Sequence, residues 1–282
     1  MLPDAGELRL AEGECADPIG DAAHAPLPGI VHRYPDRVLL TPSFACAVYC
    51  RFCFRRERVG GGEALGPEAL AAALTYIRER PEIREVILTG GDPLMLTPRR
   101  LAEIVAALDV MPHIGVIRIH SRVPMAAPER VTPELLAALT CQTALFMAVH
   151  ANHPREFAPP ARAALRRLAG AGLALLGQSV LLAGINDEAA TLETLMRCFI
   201  ENRVKPYYLH QLDPAPGTAR FRVPVARGQA LMRGLLGRLS GLGLPSYVLD
   251  IPDGYGKSPI GPAYLSDDGR EITDWRGGRH RL

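Results

Sequence analysis

A chain of 282 residues with 48% hydrophobic and 22% charged residues has enough apolar material for one sizeable α/β core or two small ones. Lys+Arg 32 against Asp+Glu 30 leaves a formal charge of +2, which excludes the clustered basic excess of a general nucleic-acid binder. No apolar run reaches spanning length, and the acidic start MLPDAGELRLAEGECADP does not read as an export signal, so a cytoplasmic protein off the membrane is expected. In a reducing compartment the six cysteines, at 15, 46, 50, 53, 141 and 198, do not read as a disulfide framework. Cys141 and Cys198 lie in apolar stretches and are expected as small core residues, whereas Cys15 has no evident partner.

Residues 1–36 contain many Pro, Gly and Asp without periodicity and are read as an irregular lead-in. Strands are then predicted at 37–43, 85–91, 116–122, 144–150, 175–182 and 206–213, with helical periodicity in between and a last short strand at SYVLDI. Thr132 before Pro133 is a helix start, a capping hydroxyl ahead of a first-turn proline. Alternating strands and helices give βαβ units and a parallel sheet. The catalytic domain is expected over 37–265, and residues 266–282, ending in RGGRHRL, as a frayed tail. No G-x-G-x-x-G follows the first strand, which argues against a dinucleotide fold. Chemically distinctive residues gather instead where strands end. Cysteines follow the first strand, Gly90-Gly91-Asp92 the second, and His120-Ser121-Arg122 the third. His150, Gln178 and Asp213 close the next three. A barrel brings such ends to one mouth, so the expected fold is α/β, a partial (β/α)6 TIM-like barrel.

In CAVYCRFCFRRE (46–57), Cys46, Cys50 and Cys53 stand in the spacing C-x3-C-x2-C. Three thiolates can hold three corners of a four-iron, four-sulfur cube and leave the fourth iron without a protein ligand. An open coordination position is where a metal centre does chemistry. A zinc knuckle completed by a distant histidine is the alternative. The loop resembles the signature of radical S-adenosylmethionine (radical SAM) enzymes, whose methionine moiety chelates the fourth iron, and Tyr49 before the second cysteine fits that pattern. In LTGGDP (88–93), Gly90 and Gly91 let backbone approach a ligand and Asp92 can accept from an ammonium. The resemblance assigns this segment to the amino group of S-adenosylmethionine.

An ordered series that includes HRYPDRVLL, RIHSRVPMAAPERVTPEL, PYYLHQLDPAPGTARF and VLDIPDGYGKSPIGPAYL resembles the lysine 2,3-aminomutase family from about residue 17 onward. Lys257 lies on a glycine-flanked turn beside a strand end, where a lysine amine held neutral can form a Schiff base. The resemblance makes it the pyridoxal 5'-phosphate lysine. The family's turn reads P-G-G-G-G-K, and here Asp253 and Tyr255 replace two glycines, which leaves the backbone of the turn an open question. Arg33 and Arg37 are a guanidinium pair suited to a phosphate. By resemblance they and Tyr34 lie at that cofactor, with Gln178 near its pyridine and His150 near S-adenosylmethionine. Arg55 matches the residue that grips the substrate carboxylate. Asp213 and Asp250 match the pair that binds the lysine ammonium, and no cation is evident in sequence between them. His153 reads either as a polar residue on the cofactor side or as a structural histidine.

The resemblance implies an isomerase that moves the α-amino group of L-lysine to Cβ, giving β-lysine. It also implies a [4Fe-4S] cluster, S-adenosyl-L-methionine, pyridoxal 5'-phosphate and a reductant such as flavodoxin or ferredoxin. The nearest alternative is the branch that makes (R)-β-lysine for elongation factor P. A non-catalytic iron–sulfur carrier or sensor is the alternative of another class, and it has no need of Lys257. Longer members carry a cysteine-rich zinc extension at the carboxyl end. The last cysteine here is Cys198, so a homo-oligomer is not inherited from them and stays open.

Overall fold

The computed structural model describes residues 5–60 and 64–282. Its main sheet has nine strands in chain order. They are β1 (Ile30–Tyr34), β2 (Arg37–Ser43), β3 (Glu85–Gly90), β4 (Val116–Ser121), β5 (Ala144–His150), β6 (Ala174–Val180), β7 (Val204–His210), β8 (Ser246–Ile251) and β9 (Gly256–Pro259). Neighbours from β2 to β8 are parallel, and β1 and β9 pair antiparallel at the two edges. The crossovers contain α1 (Pro67–Arg78), α2 (Pro98–Asp109), α3 (Val123–Ala126), α4 (Pro133–Ala138), α5 (Pro159–Gly170), α6 (Ala189–Glu201) and α7 (Val225–Leu235).

Each longer helix buries one stripe against the sheet. In α2 the stripe is Leu101, Ile104, Val105 and Leu108, the i, i+3, i+4, i+7 spacing of a single helical face. Thr97 caps α2 by accepting from the Arg100 N–H, and Thr132 caps α4 the same way from Leu135. These stripes meet the outward strand residues (Leu40, Leu88, Ile117, Ile119, Met147, Val149) in one continuous core. The inner strand faces carry the polar residues. Among the described residues no helix is long and apolar enough to cross a membrane.

The predicted partial barrel is found, with three local differences. The lead-in is not irregular throughout: Ile30 and Val31 are buried and form β1, folded back on β2 with Tyr34 opposite Arg37. Strand β7 stops at His210, so Asp213 lies in the loop beyond it instead of closing the strand. The tail forms a hairpin, β10 (Glu271–Thr273) with β11 (Arg279–Arg281). Its turn is built on Asp274, whose carboxylate accepts from the N–H groups of Arg276 and Gly278 at 2.8 Å. Trp275 anchors it, with its ring lying where a Cβ on Gly237 would stand 2.6 Å away.

The two sheet edges meet. The backbone N–H of Lys257 in β9 donates to the Tyr34 hydroxyl in β1 at 2.7 Å. A Cβ on Gly256 would lie 2.7 Å from that hydroxyl, and φ of 93° there is glycine territory, so only glycine permits this seam.

Candidate active site

A cavity of about 720 Å³ opens among the carboxyl ends of the strands, within the usual size of small-molecule and cofactor sites. It is lined by every site residue expected from the sequence: Cys46, Cys50 and Cys53; Gly90, Gly91 and Asp92; Arg33, Tyr34, Arg37 and Arg55; His150 and Gln178; Asp213, Asp250 and Lys257. His153 is not part of it. Its Nδ1 accepts from the Arg155 N–H and caps a short turn, which is a structural role.

The cysteine loop follows β2 and tightens where the Cys53 N–H donates to the Cys50 carbonyl at 3.0 Å. All three thiols are free and half-buried. Burial pushes the Cys46 thiol up to about 12, with the Asp92 charge and the other two sulfurs adding to it, and burial raises Cys53 as well. A metal must displace those protons to bind. Arg122 places Nη1 2.9 Å from Cys50 Sγ and Nη2 2.8 Å from Glu156 Oε2, which sets a cation against one sulfur. No three His, Cys, Asp or Glu side chains among the described residues converge as for a single metal ion. The loop offers three free thiols, the number that suits three corners of a cluster.

The glycines of LTGGDP act through close approach. The Gly91 N–H donates to Ser43 O and the Asp92 N–H to Ala45 O, both at 2.8 Å, and a Cβ on Gly91 would stand 2.4 Å from Ala45 O. The turn is therefore laid backbone to backbone on the cysteine loop. The Asp92 side chain differs from the ammonium acceptor expected of it. Its carboxylate already accepts from Leu94 N (3.0 Å), Ser121 Oγ (2.8 Å), Arg122 N (2.7 Å) and Val123 N (3.0 Å). A carboxylate has about four acceptor positions, so Asp92 clamps the end of β3 to the end of β4.

The lysine turn resolves the question its substitutions raised. Asp253 takes φ 60°, ψ 18°, a left-handed conformation that aspartate tolerates better than most side chains. Tyr255 has an ordinary φ of −69° and a largely exposed ring. The antiparallel register sets Asp250 opposite Lys257, and the Lys257 ammonium ion-pairs with the Asp250 carboxylate. His210 Nδ1 lies 3.8 Å from the same oxygen. The acidic pair thus does have a cation beside it, contrary to the sequence expectation, because strand register supplies what residue order conceals. Burial opposes ionisation of Asp250, yet the His210 contact and the Lys257 charge hold its carboxyl well below the usual range. Asp213 is driven the other way, up to about 7, by burial and then by the Asp250 charge. One site therefore holds one firmly ionised carboxylate and one poised near neutrality.

Arg33 and Arg55 both reach Asp21, a buried residue of the lead-in that sequence reasoning did not single out. Arg37 lies over the Tyr34 ring at 3.8 Å and donates to Asp36 at 2.7 Å. His120, one of the strand-end residues marked in the sequence, is joined on the wall by His210, which was not singled out. Burial lowers both imidazoles, and His150 falls to about 3 from burial with the Arg122 and His210 charges adding. The wall is thus lined by neutral imidazoles. A signal existed: Arg118 and His120 alternate with Ile117 and Ile119, the period-2 mark of a polar inner face.

Four buried polar atoms of cavity residues have no hydrogen-bond partner among the described residues: Arg33 Nε, Arg118 Nε (which ion-pairs with Glu85), His120 Nε2 and Asp213 Oδ1. Unmet groups of both signs in one cavity fit a ligand bearing anionic and cationic groups. The donor set suits the groups that the resemblance implied.

Comparison with known proteins agrees. The Radical SAM superfamily model matches residues 40–195. The L-lysine 2,3-aminomutase of Fusobacterium nucleatum is 39% identical over 265 residues, covering 94% of this chain and 62% of that protein. A Treponema pallidum protein provisionally named an L-lysine 2,3-aminomutase is 41% identical over 256 residues, covering 90% of this chain and 72% of its own length. The glutamate 2,3-aminomutase of Clostridioides difficile is 36% identical, over 94% of this chain and 64% of that one. The chain thus spans a little under two thirds of several curated relatives it matches. Streptococcus suis SuiB shares the fold, at a TM-score of 0.57 and 13% identity, covering 77% of this chain and 50% of that one. The cysteine loop, the barrel that presents it and these similarities place the chain in the radical SAM superfamily and, within it, in the lysine 2,3-aminomutase family.

Proposed function

We propose that this chain moves the α-amino group of L-lysine to Cβ, forming β-lysine. The observation that carries the reading is the acidic wall of the cavity, where Asp213 keeps a buried oxygen with no partner among the described residues, near Asp250 with its depressed carboxyl. A side-chain ammonium would satisfy the Asp213 oxygen, and would reach Asp250 once Lys257 leaves its ion pair to hold the cofactor. A glutamate side chain would bring a third carboxylate to the same place, at a cost of like-charge repulsion. The family includes a glutamate enzyme, and this pair is what favours lysine over glutamate in the present reading.

Cys46, Cys50 and Cys53 would hold a [4Fe-4S] cluster, and Gly90, Gly91 and His150 would contact S-adenosyl-L-methionine. Asp92 would brace that seat instead of binding. Lys257 would hold pyridoxal 5'-phosphate, with Arg33, Tyr34, Arg37 and Gln178 around it. Bound there, the cluster and S-adenosylmethionine would supply a radical that can take hydrogen from an unactivated C–H bond, and pyridoxal phosphate would supply a conjugated π-system able to take up the unpaired electron while the nitrogen migrates. The chain itself contributes placement. Arg55 binds the substrate carboxylate while Asp213 and Asp250 bind the ammonium at the other end, and together they fix which carbon faces the cluster rim. Leu39, Ile87, Val180, Leu212 and Val248 give the cavity apolar walls that exclude water. A low-potential reductant such as flavodoxin or ferredoxin is the expected partner.

Anaerobic reconstitution with iron, sulfide and pyridoxal phosphate, then incubation with S-adenosylmethionine, reductant and a panel of amino acids, tests the reading. β-Lysine is expected from lysine and no β-product from glutamate. An Asp213→Asn/Asp250→Asn double variant is expected to lose the preference, and an unchanged preference would refute the substrate assignment.

The poised state of Asp213 also predicts a pH dependence. Below about pH 7 its carboxyl is protonated and offers an ammonium no charge, so lysine binding must release a proton. Affinity should then rise with pH from 6 to 8, by up to about tenfold per unit below the transition. Asp213→Asn should flatten the profile, and calorimetry in buffers of different ionisation enthalpy reads the proton directly.

A further inference from the structure

We propose that Asp21 is a positioning residue that aims Arg33 and Arg55 into the cavity as a matched pair of anion receptors. Asp21 does not line the cavity, is 3% exposed, and shares its carboxylate between the two guanidiniums. Oδ1 accepts from Arg33 Nη2 at 3.0 Å, and Oδ2 accepts from both Nε and Nη2 of Arg55 at 2.8 Å. Arg33 Nη2 is held a second time by the Ile19 carbonyl at 2.6 Å.

This contact commits one edge of each guanidinium and leaves the other for a ligand. On Arg55 the Nε/Nη2 edge is taken by Asp21, which leaves Nη1, with no hydrogen-bond partner among the described residues, as the end to meet a ligand in the cavity that Arg55 lines. On Arg33 the Nε is buried without a partner. The charge count points the same way. Two cations sharing one anion leave a net positive charge for an incoming carboxylate or phosphate. Without Asp21, two buried guanidiniums would repel each other and lose their shared orientation.

The loop carrying Asp21 is itself fixed. Asp17 accepts from the Asp21 and Ala22 N–H groups, each at 2.8 Å. A Cβ on Gly20 would stand 2.5 Å from Gly254 N, and one on Gly254 would stand 2.5 Å from His24 Nε2. The lead-in therefore lies backbone to backbone on the turn that precedes Lys257. One short segment sets the position of the arginine of β1, the arginine of the cysteine loop and the lysine turn.

The inference rests on the proposed reading, in which Arg55 receives a substrate carboxylate and Arg33 a cofactor phosphate. The test compares equilibrium binding of L-lysine with L-lysinamide to the reconstituted protein, and of pyridoxal phosphate with pyridoxal to the apoprotein. In Asp21→Asn, lysine and pyridoxal phosphate should each weaken by about tenfold, the scale of one charge-assisted hydrogen bond. Lysinamide and pyridoxal should stay within about twofold. A purely structural role would weaken each ligand and the counterpart lacking its anionic group alike, and that result, or unchanged affinity for all four, overturns the proposal. Asp21→Glu keeps the charge and should show a smaller loss that is still selective. It carries the comparison if Asp21→Asn does not fold. If the wild-type protein binds no lysine, the substrate reading fails by itself, and the pyridoxal pair on the apoprotein alone decides the role of Asp21.

Discussion

On the proposed reading, alanine at Lys257 is expected to remove the Schiff-base absorbance of the reconstituted protein and to take turnover below detection. The structure adds a second, independent consequence. Asp250 loses its ammonium partner and keeps only His210 at 3.8 Å, at a depth where little solvent reaches it. Leaving a buried carboxylate without its partner costs about 3 kcal/mol. The sign with pH follows from the depressed carboxyl of Asp250. Its ion pair stabilises the fold above the ordinary aspartate value of 3.8 and is lost as pH falls through the lower folded value. The stability gap between wild type and Lys257→Ala, read by denaturant titration, should be full at neutral pH and close in acid. A gap independent of pH would contradict the pairing. Lys257→Arg separates the two effects, since it restores the cation without restoring the reactive amine.

On the same reading, alanine at Cys50 is expected to abolish iron loading and turnover together while leaving the fold in place. Cys50 lies on a half-exposed loop at the cavity rim, so its removal should change stability by less than about 1 kcal/mol. Two remaining thiolates cannot hold a cube by three corners. The visible absorption of the anaerobically reconstituted protein and its iron content should fall to background. Cys198→Ala is the matching control: a buried thiol packed within the core, its loss should lower the melting temperature and leave iron content unchanged. Iron bound equally by both variants would remove the cluster assignment.

The central strands were legible because strands of a parallel sheet, covered on both faces, read as continuous apolar runs such as EVILTG and ALFMAV. The edges were not. In β1 the apolar signal is confined to Ile30 and Val31, and in β9 the residues GKSP have no pattern to read. The tail hairpin depends on an Asp274 turn and one tryptophan contact, which composition does not reveal. At the site, residues with recognisable chemistry in a motif were found, and all of them line one cavity. What stayed hidden was pairing across the fold. Asp21 gains its partners 12 and 34 positions away, and Lys257 meets Asp250 only through strand register. Asp92, expected to face a ligand, turns to the backbone after β4, because four N–H and O–H donors already converge on it.

The seam between β1 and β9 gives Lys257 a fixed pivot. Its peptide nitrogen is held by Tyr34, and the Tyr34 ring is in turn pressed under the Arg37 guanidinium. Only the four methylenes beyond that anchor can swing, so the amine travels a short arc instead of wandering with a surface loop. A long side chain is thereby made into a crank: its hub is set by the barrel wall, and its throw is the length of the aliphatic stem.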